Sequence, residues 1–322
     1  MKLAPFVLLL LATAGTLAQK NSSVQKIEHY YTYQWHDTDA AHARFYSERQ
    51  PSDSGWHRLD YYVHGPSLQM EGWYDDSACK IPNGKFTYVY PDRKIESRGH
   101  YLHGRKEGLW LRYHYNGTLA DSTVYAEGKP IGTSLGYYPN GMTADSCVYR
   151  SDGSGVEVQW FSNGNPSSAG ALAPDFKKQG KWQFFHENGK LSALETYDHD
   201  ELVDRHYFDE TGIELSDTTN HDRKPIFKGK EGAWTSYMND HLYWPTAYKI
   251  ANSDQAALVI TYTIDENGNP KDIFVSTPFY QAFEKVAINV IRSAPKWQPA
   301  IDHNRRVEYQ FRQPVIFSQP NH

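Results

Sequence analysis

A turn signal recurs through the middle of this chain at nearly constant spacing. Six turn positions each follow a Tyr or Phe within four residues and lie 23–25 residues apart, at Arg93, Gly117, Gly141, Gly164, Gly189 and Gly212. A second glycine stands nine residues ahead of the first five, at Gly84, Gly108, Gly132, Gly155 and Gly180. Self-similarity at such a period indicates a repeat architecture.

Each unit has the pattern of a β-hairpin. Asn-Gly between two strand-like runs favours a tight turn, because glycine adopts positive φ without steric cost. Spaced aromatics before the turn, such as Trp110 and Tyr113, suit a pleated strand. A lone hairpin is unstable in water, so the units must stack. We therefore predict a mainly β, elongated array of about six stacked hairpins.

The best-preserved units resemble variant MORN repeats, which share a Gly-x-Trp-x-x-Tyr…Asn-Gly-x-Leu core. The matching stretches run from Gly108 to Leu119 and from Gly180 to Leu191, with Trp110 and Trp182 at the tryptophan position. We assign the repeat array to residues 59–215 and an N-terminal cap segment to residues 19–58. Residues 216–231 are polar around Ser216–Pro225 and are predicted to be a linker.

Residues 232–322 carry a different pattern. Ala256–Ile264 and Ile273–Val275 have strand composition, and a helical stripe of apolar side chains follows between Phe279 and Ile291. Val307–Phe311 alternates, and Val315–Phe317 closes the apolar pattern. Two strands, a helix and a further strand predict a small α+β domain.

This segment resembles the C-terminal domain of TonB, the energy transducer of Gram-negative outer-membrane transport. The resemblance rests on Ile264–Gly268, on Ala287 through Pro295–Pro299, and on Arg306–Tyr309 leading to Pro314–Phe317. It departs from the family at Ala256-Ala257, where a glycine is usual, and at Trp244-Pro245, where Tyr-Pro is usual. Variant MORN repeats ahead of such a domain are similar to exported proteins of the Bacteroidota.

The resemblance implies a binding site for an extended peptide. TonB domains add a short segment of a transporter to a sheet edge, where backbone hydrogen bonds give affinity and alternate side chains give selectivity. The matching edge strand here is Val307, Glu308, Tyr309, Gln310 and Phe311. The alternative is that Val307, Tyr309 and Phe311 only fill the core. Implied partners are proteins, including TonB-dependent outer-membrane receptors.

The N-terminus has the pattern of a secretory signal. Lys2 precedes the apolar run Phe6–Leu11, and Thr16-Leu17-Ala18 suits cleavage. We predict a signal peptide over residues 1–18 and a periplasmic protein; an uncleaved inner-membrane anchor is the alternative. In an oxidising compartment Cys79 and Cys147 either form a disulfide or remain buried thiols, and sequence does not decide between these alternatives.

Composition and motifs argue against several functions. A net charge of −5 disfavours nucleic-acid binding. No phosphate loop, dinucleotide fingerprint or zinc-spaced histidine set is present, so we expect no enzyme activity, no cofactor and no metal. The excess acidic residues lie outside residues 232–322, which disfavours binding of the repeat sheet to anionic lipid surfaces. Two functions remain: a TonB-type module in energy-coupled transport, or an exported structural adaptor without energy transduction. A cytoplasmic antitoxin role, sometimes given to variant MORN proteins, conflicts with export.

Overall fold

The computed structural model describes residues 26–250 and 255–320. The predicted signal peptide, residues 1–18, lies outside the described residues. Residues 27–207 form one antiparallel sheet of fifteen strands that follow one another in sequence order. Its strands are β1 Ile27–Tyr31, β2 Phe45–Ser52, β3 Gly55–Tyr62, β4 Ser67–Tyr74, β5 Pro82–Val89, β6 Ile95–Leu102, β7 Arg105–Tyr113, β8 Leu119–Ala126, β9 Lys129–Tyr137, β10 Thr143–Tyr149, β11 Gly155–Trp160, β12 Pro166–Leu172, β13 Lys178–Phe185, β14 Leu191–Asp198 and β15 Glu201–Tyr207.

The predicted stacked hairpins are confirmed, and the sheet extends beyond the predicted array. Residues 19–58, which we assigned to a cap, supply β1, β2 and the start of β3, all paired in the same ladder. The sheet therefore begins before the first recognisable repeat. The sequence pattern is weak there because these strands lack the repeated Asn-Gly turn.

The repeated glycines close three-residue hairpin loops. At the β7–β8 turn, His114 N–H donates to Thr118 O at 2.8 Å, and Gly117 N–H donates to His114 O at 2.8 Å. Gly117 has φ 91°, which is the left-handed conformation that such a loop requires. At the first repeated turn Arg93 takes this conformation with φ 71°. The turns therefore share a left-handed residue and two backbone hydrogen bonds, and this residue need not be glycine.

Side chains in each turn also hold the next turn. Asn116 Nδ2 donates to Pro139 O at 2.8 Å, and Asn188 Nδ2 donates to Glu210 O at 2.9 Å. The Tyr90 hydroxyl donates to Tyr113 O at 2.9 Å in the same manner. Because every bond joins one unit to its neighbour, the turn edge of the array is continuously cross-linked. This explains why the aromatic and the Asn recur together.

Tryptophans form rungs on one face of the sheet, which we call the inner face. Trp182 is 2% exposed, and its Nε1–H donates to Ala171 O at 2.9 Å. A Cβ at Gly170 would lie 2.1 Å from the indole, so only glycine allows the ring to lie across β12. Trp110 crosses Gly99 on β6 in the same way. Aromatic packing on this face replaces the core that a single sheet otherwise lacks.

The two cysteines form no disulfide. Cys79 packs with Met70, Tyr74, Phe86 and Trp110, whereas Cys147 belongs to a separate cluster around Trp182 and Phe184. Both are buried free thiols, and burial raises the pKa of each thiol. Of the two sequence alternatives, the structure therefore has the buried thiols, and the disulfide interpretation is corrected.

The C-terminal residues form a small α+β unit. Its elements are α1 Ala233–His241, β16 Gln255–Ile264, β17 Pro270–Thr277, α2 Gln281–Arg292, β18 Ala300–Asp302, β19 Arg305–Val307 and β20 Tyr309–Ser318. Three strands pair in the order β17-β16-β20, and β18 pairs with β19 as a separate hairpin. The predicted apolar stripe of α2 is buried against β16 at Phe283, Val286, Ala287, Val290 and Ile291. The predicted linker returns to this unit, where Arg223 and Ile226 form isolated bridges to Ile301 and Gln298.

Candidate functional site

The last strand of the small sheet has an open edge. β20 pairs along its whole length with β16, from Tyr309 opposite Ile264 to Ser318 opposite Gln255. Among residues 26–250 and 255–320, no strand pairs with the outer side of β20. An unpaired edge of ten residues presents backbone N–H and C=O groups to any added strand.

The side chains of β20 alternate strictly between two environments. Val315 and Phe317 are buried in the core, and the Phe311 ring stacks with Tyr262 at a centroid distance of 5.4 Å. On the other face the side chains are exposed, and they are Gln310, Arg312, Pro314, Ile316 and Ser318. One face of β20 therefore anchors the strand while the other stays free for side-chain contacts.

Pro314 indicates which backbone groups point outward. A proline within a sheet is tolerated where its missing N–H would face away from the neighbouring strand. In an antiparallel ladder the backbone groups alternate in direction. We therefore expect Gln310, Arg312, Ile316 and Ser318 to direct their N–H groups to the open edge. The Pro314 carbonyl accepts from Gln313 Nε2 at 2.8 Å.

The five residues predicted as the edge strand do not lie on one strand. Val307 ends β19 and pairs with Ala300. Glu308 stands between the strands and accepts a hydrogen bond from Lys271 Nζ. Tyr309, Gln310 and Phe311 begin β20. The strand then continues through Pro314 to Ser318, because a proline at an edge position does not end it.

The β18–β19 hairpin has a two-residue tip that sequence reasoning missed. His303 and Asn304 have φ 52° and 59°, as a tight hairpin turn requires, and Asp302 pairs with Arg305 across it. The signal available in the sequence was His-Asn between short polar flanks, since Asn tolerates positive φ. This tip packs against β13 and β14 of the repeat sheet, and Asn304 Nδ2 also donates to Phe208 O at 2.9 Å.

His303 makes the central contact of the hairpin tip. Its ring stacks on Phe184 with centroids 3.6 Å apart, and its Nδ1 lies 2.8 Å from the Glu195 carboxylate. Glu195 is 2% exposed. Hydrogen bonds from His303 and from the Tyr197 hydroxyl lower the pKa of Glu195, although burial opposes them. Lys178 Nζ lies 3.2 Å from the other ring nitrogen of His303.

Arg305 secures the same hairpin deeper in the interface. It is 5% exposed, and its guanidinium donates to Ser167 O and, at 3.4 Å, to Phe185 O. The guanidinium also lies over the rings of Phe161 and Phe184, at 5.5 and 5.3 Å. Burial lowers the pKa of Arg305 to about 10, so it remains charged at neutral pH.

A second set of contacts holds the opposite end of the small sheet. Arg44 Nε donates to Ala257 O at 2.7 Å, and its guanidinium lies 4.4 Å from the Phe279 ring centre. Phe274 of β17 stacks on Tyr115 at 4.4 Å. The repeat sheet therefore engages β16, β17 and the β18–β19 hairpin. The outer edge of β20 is left unpaired.

The described residues contain no group of three or more His, Cys, Asp or Glu placed to hold a metal ion. No helix in the described ranges is long and apolar enough to cross a membrane. Ser134 Oγ lies 2.6 Å from the Thr123 hydroxyl on the inner face. Ser134 lies in β9, which is followed by another strand, β10.

Two family models match segments of the chain. Residues 242–318 match the family model described as the Gram-negative bacterial TonB protein C-terminal. The small α+β unit carries a TonB C-terminal domain. Residues 178–199, which span β13 and β14, match the MORN repeat variant. No curated protein matches the chain.

Both matched families are known for particular kinds of interaction and location. TonB C-terminal domains and MORN repeats are non-enzymatic kinds of domain, and TonB domains in general interact with proteins such as outer-membrane receptors. A TonB-family domain implies a location in the cell envelope. The MORN match covers one repeat, Lys178 to His199, although the sheet contains fifteen strands.

Proposed function

We propose that this protein is a non-enzymatic, periplasmic interaction module of the Bacteroidota type that binds an extended peptide along the outer edge of β20. The open ten-residue edge is the observation that supports this function most directly. The peptide would come from a TonB-dependent outer-membrane receptor, which links the protein to energy-coupled transport. Residues 1–18 would direct export and then be removed.

Edge pairing supplies affinity through backbone groups. A neutral hydrogen bond contributes a net of about 0.5–1.5 kcal/mol, so four outward N–H groups and their neighbouring carbonyls offer several kcal/mol before ordering costs. Ile316 and Ser318 stand two residues apart on the exposed face of β20, towards its C-terminal end. They would contact alternate side chains of the peptide and provide its selectivity.

Backbone-methylated peptides test this function without altering the protein. The mature chain is titrated calorimetrically with a synthetic peptide carrying the TonB box of an outer-membrane receptor. N-methylation at the alternate positions that face β20 should weaken binding at least tenfold, whereas methylation at the intervening positions should not. Equal effects in both registers, or no binding of the parent peptide, would refute edge pairing.

A matched pair of protein variants provides the second arm. Ile316→Pro removes an outward N–H, whereas Ile316→Thr changes only an exposed side chain. We expect Ile316→Pro to weaken peptide binding at least tenfold and Ile316→Thr to leave it within about threefold, which corresponds to less than one hydrogen bond. Circular dichroism confirms that both variants are folded.

One observation favours the alternative function, an exported adaptor without energy transduction. The buried Arg305 and the His303–Glu195 contact fasten the TonB-like domain to the repeat sheet, so the two are built as one body. The peptide titration separates the two functions, since an adaptor of this kind need not bind the receptor peptide. Fractionation with N-terminal sequencing then decides whether the chain transduces energy directly: a mature N-terminus at Gln19 in the soluble periplasm excludes it, and an intact N-terminus in the inner membrane supports it.

A further inference from the structure

A cavity of about 860 Å³ lies between the inner face of the repeat sheet and the small sheet. This volume is within the range of about 300–1,000 Å³ that is usual for small-molecule sites. One wall is formed by repeat residues such as Tyr90, Tyr115 and Tyr138, and the other by Thr261 and Thr263 of β16. The cavity exists because the C-terminal domain touches the repeats at its ends and spans them in between.

Five charged side chains line this cavity without a direct partner. Glu96, Arg112 and Asp145 come from the repeat sheet, Asp272 comes from β17, and Arg312 comes from β20. Both arginines are exposed to solvent at the open side of the cavity. Within residues 26–250 and 255–320, none of these side chains makes a hydrogen bond or a close ion pair, although Arg312 and Arg112 both lie near enough to Glu96 to favour its ionised form. Burial nevertheless raises the pKa of Glu96 and of Asp145. Donors and acceptors from two domains thus surround a space that contains no protein group to satisfy them.

The aromatic walls are fixed in place. The Tyr90 hydroxyl donates to Tyr113 O and the Tyr138 hydroxyl donates to Trp160 O, at 2.9 and 2.8 Å. Their hydroxyls are therefore already used, and the rings offer rigid apolar faces. Such rings contact the apolar face of a flat ligand without further loss of side-chain freedom.

We propose that this cavity binds a neutral saccharide. Carboxylates only accept hydrogen bonds and guanidinium groups only donate them, whereas a hydroxyl does both. A polyhydroxyl ligand can therefore satisfy Glu96, Asp145, Arg112 and Arg312 together. The lining carries three positive side chains (Lys94, Arg112, Arg312) and four negative ones (Glu96, Asp145, Asp272, Glu308), so the site has no excess positive charge and disfavours a multiply charged anion.

An extended peptide fits this cavity less well than a saccharide. β16, at the centre of the upper wall, is already paired on both sides, and so are the repeat strands of the lower wall. A peptide placed there would find no backbone ladder for its amides, and each unpaired buried amide is costly. The cavity is thus distinct from the open edge of β20.

Titration of the full mature chain with chitotriose, cellotriose and maltotriose, followed by calorimetry and tyrosine fluorescence, tests the proposal. We expect saturable binding of at least one trisaccharide. Arg112→Gln should weaken this binding at least tenfold, whereas Arg105→Gln, at the start of the same strand β7 and outside the cavity lining, should leave it unchanged. Asp145→Asn provides a second cavity variant.

Three results would overturn the saccharide proposal: no response to any of the three sugars, equal affinities for Arg112→Gln and Arg105→Gln, or displacement of the sugar by inorganic phosphate. A peptide that competes with the sugar would also contradict it, because it would place the peptide in the cavity. The Ile316→Pro variant should bind the sugar normally, so failure of the edge function leaves this test intact.

Discussion

Replacing His303 with alanine removes the contact that fastens the hairpin tip to the repeat sheet. Glu195 then stays 2% exposed without its histidine partner. Stripping one partner from a buried charge costs about 3–5 kcal/mol, and the Tyr197 hydroxyl bond that remains reduces this. Loss of stacking on Phe184 adds about 0.5–1.5 kcal/mol. Together, these losses should lower the free energy needed to open the interface by about 2–4 kcal/mol.

Hydrogen–deuterium exchange of the full chain measures this opening directly. Since 1.4 kcal/mol is a factor of ten, exchange of the β18–β19 peptide should accelerate roughly 30- to 700-fold. Exchange in β5 and β6, far from the tip, should be unchanged and serves as the internal control. In a Glu195→Gln background the same substitution should cost only the stacking, about 0.5–1.5 kcal/mol.

The stability cost of His303→Ala should depend on pH, because the Glu195 carboxylate titrates. The contacts lower the pKa of Glu195 in the folded protein, so its stabilisation is present above about pH 4.3, the ordinary glutamate value, and is lost as pH falls through the lowered pKa. In the His303→Ala variant the histidine hydrogen bond that lowers the pKa of Glu195 is gone, whereas the burial that raises this pKa remains. The Glu195 carboxyl therefore protonates at a higher pH in the variant. The difference between the two proteins should therefore shrink below about pH 4.5. A change of less than threefold in the exchange rate of the β18–β19 peptide at pH 7 would refute this account. So would an equal cost of His303→Ala in the parent protein and in the Glu195→Gln background.

Three further predictions concern the sheet. Gly170→Ala should destabilise the protein by about 1–3 kcal/mol in urea unfolding, because the new Cβ meets the Trp182 ring; unchanged stability would contradict the rung geometry. Asn188→Ala should cost about 1 kcal/mol, since the bond to Glu210 O is lost, and an effect below 0.3 kcal/mol would make the turn cross-link dispensable. Burial and Arg44 lower the pKa of His64 to about 4, so it stays neutral when folded; stability should fall between pH 6.5 and 4, and NMR titration of His64 at an ordinary pKa would refute this.

The sequence predicts the repeat sheet well because its signals are local. Each turn is specified by an aromatic and a left-handed residue within five positions, and the pattern is copied along the chain. The helical stripe around Phe283 is equally local. Arg93 shows the limit of this reasoning, because it fills a glycine position while the hydrogen bonds of the turn are kept.

The candidate site was harder to predict because it depends on contacts between distant residues. Val307 and Tyr309 alternate as in one strand, yet Glu308 separates β19 from β20, and Arg305 of β19 is hydrogen-bonded to the repeat sheet more than a hundred residues away in sequence. Likewise, Glu96 and Arg312 line the same cavity only after the domain docks. No local pattern encodes either arrangement.

Residue-resolved amide exchange on β20 tests the central claim most directly. The mature chain is measured alone and saturated with the receptor peptide. Edge pairing predicts that the N–H groups of Gln310, Arg312, Ile316 and Ser318 become protected at least tenfold, while the amides of Phe311 and Val315, already paired with β16, change little. A saturated complex in which the four outward amides exchange as fast as in the free protein would contradict the claim.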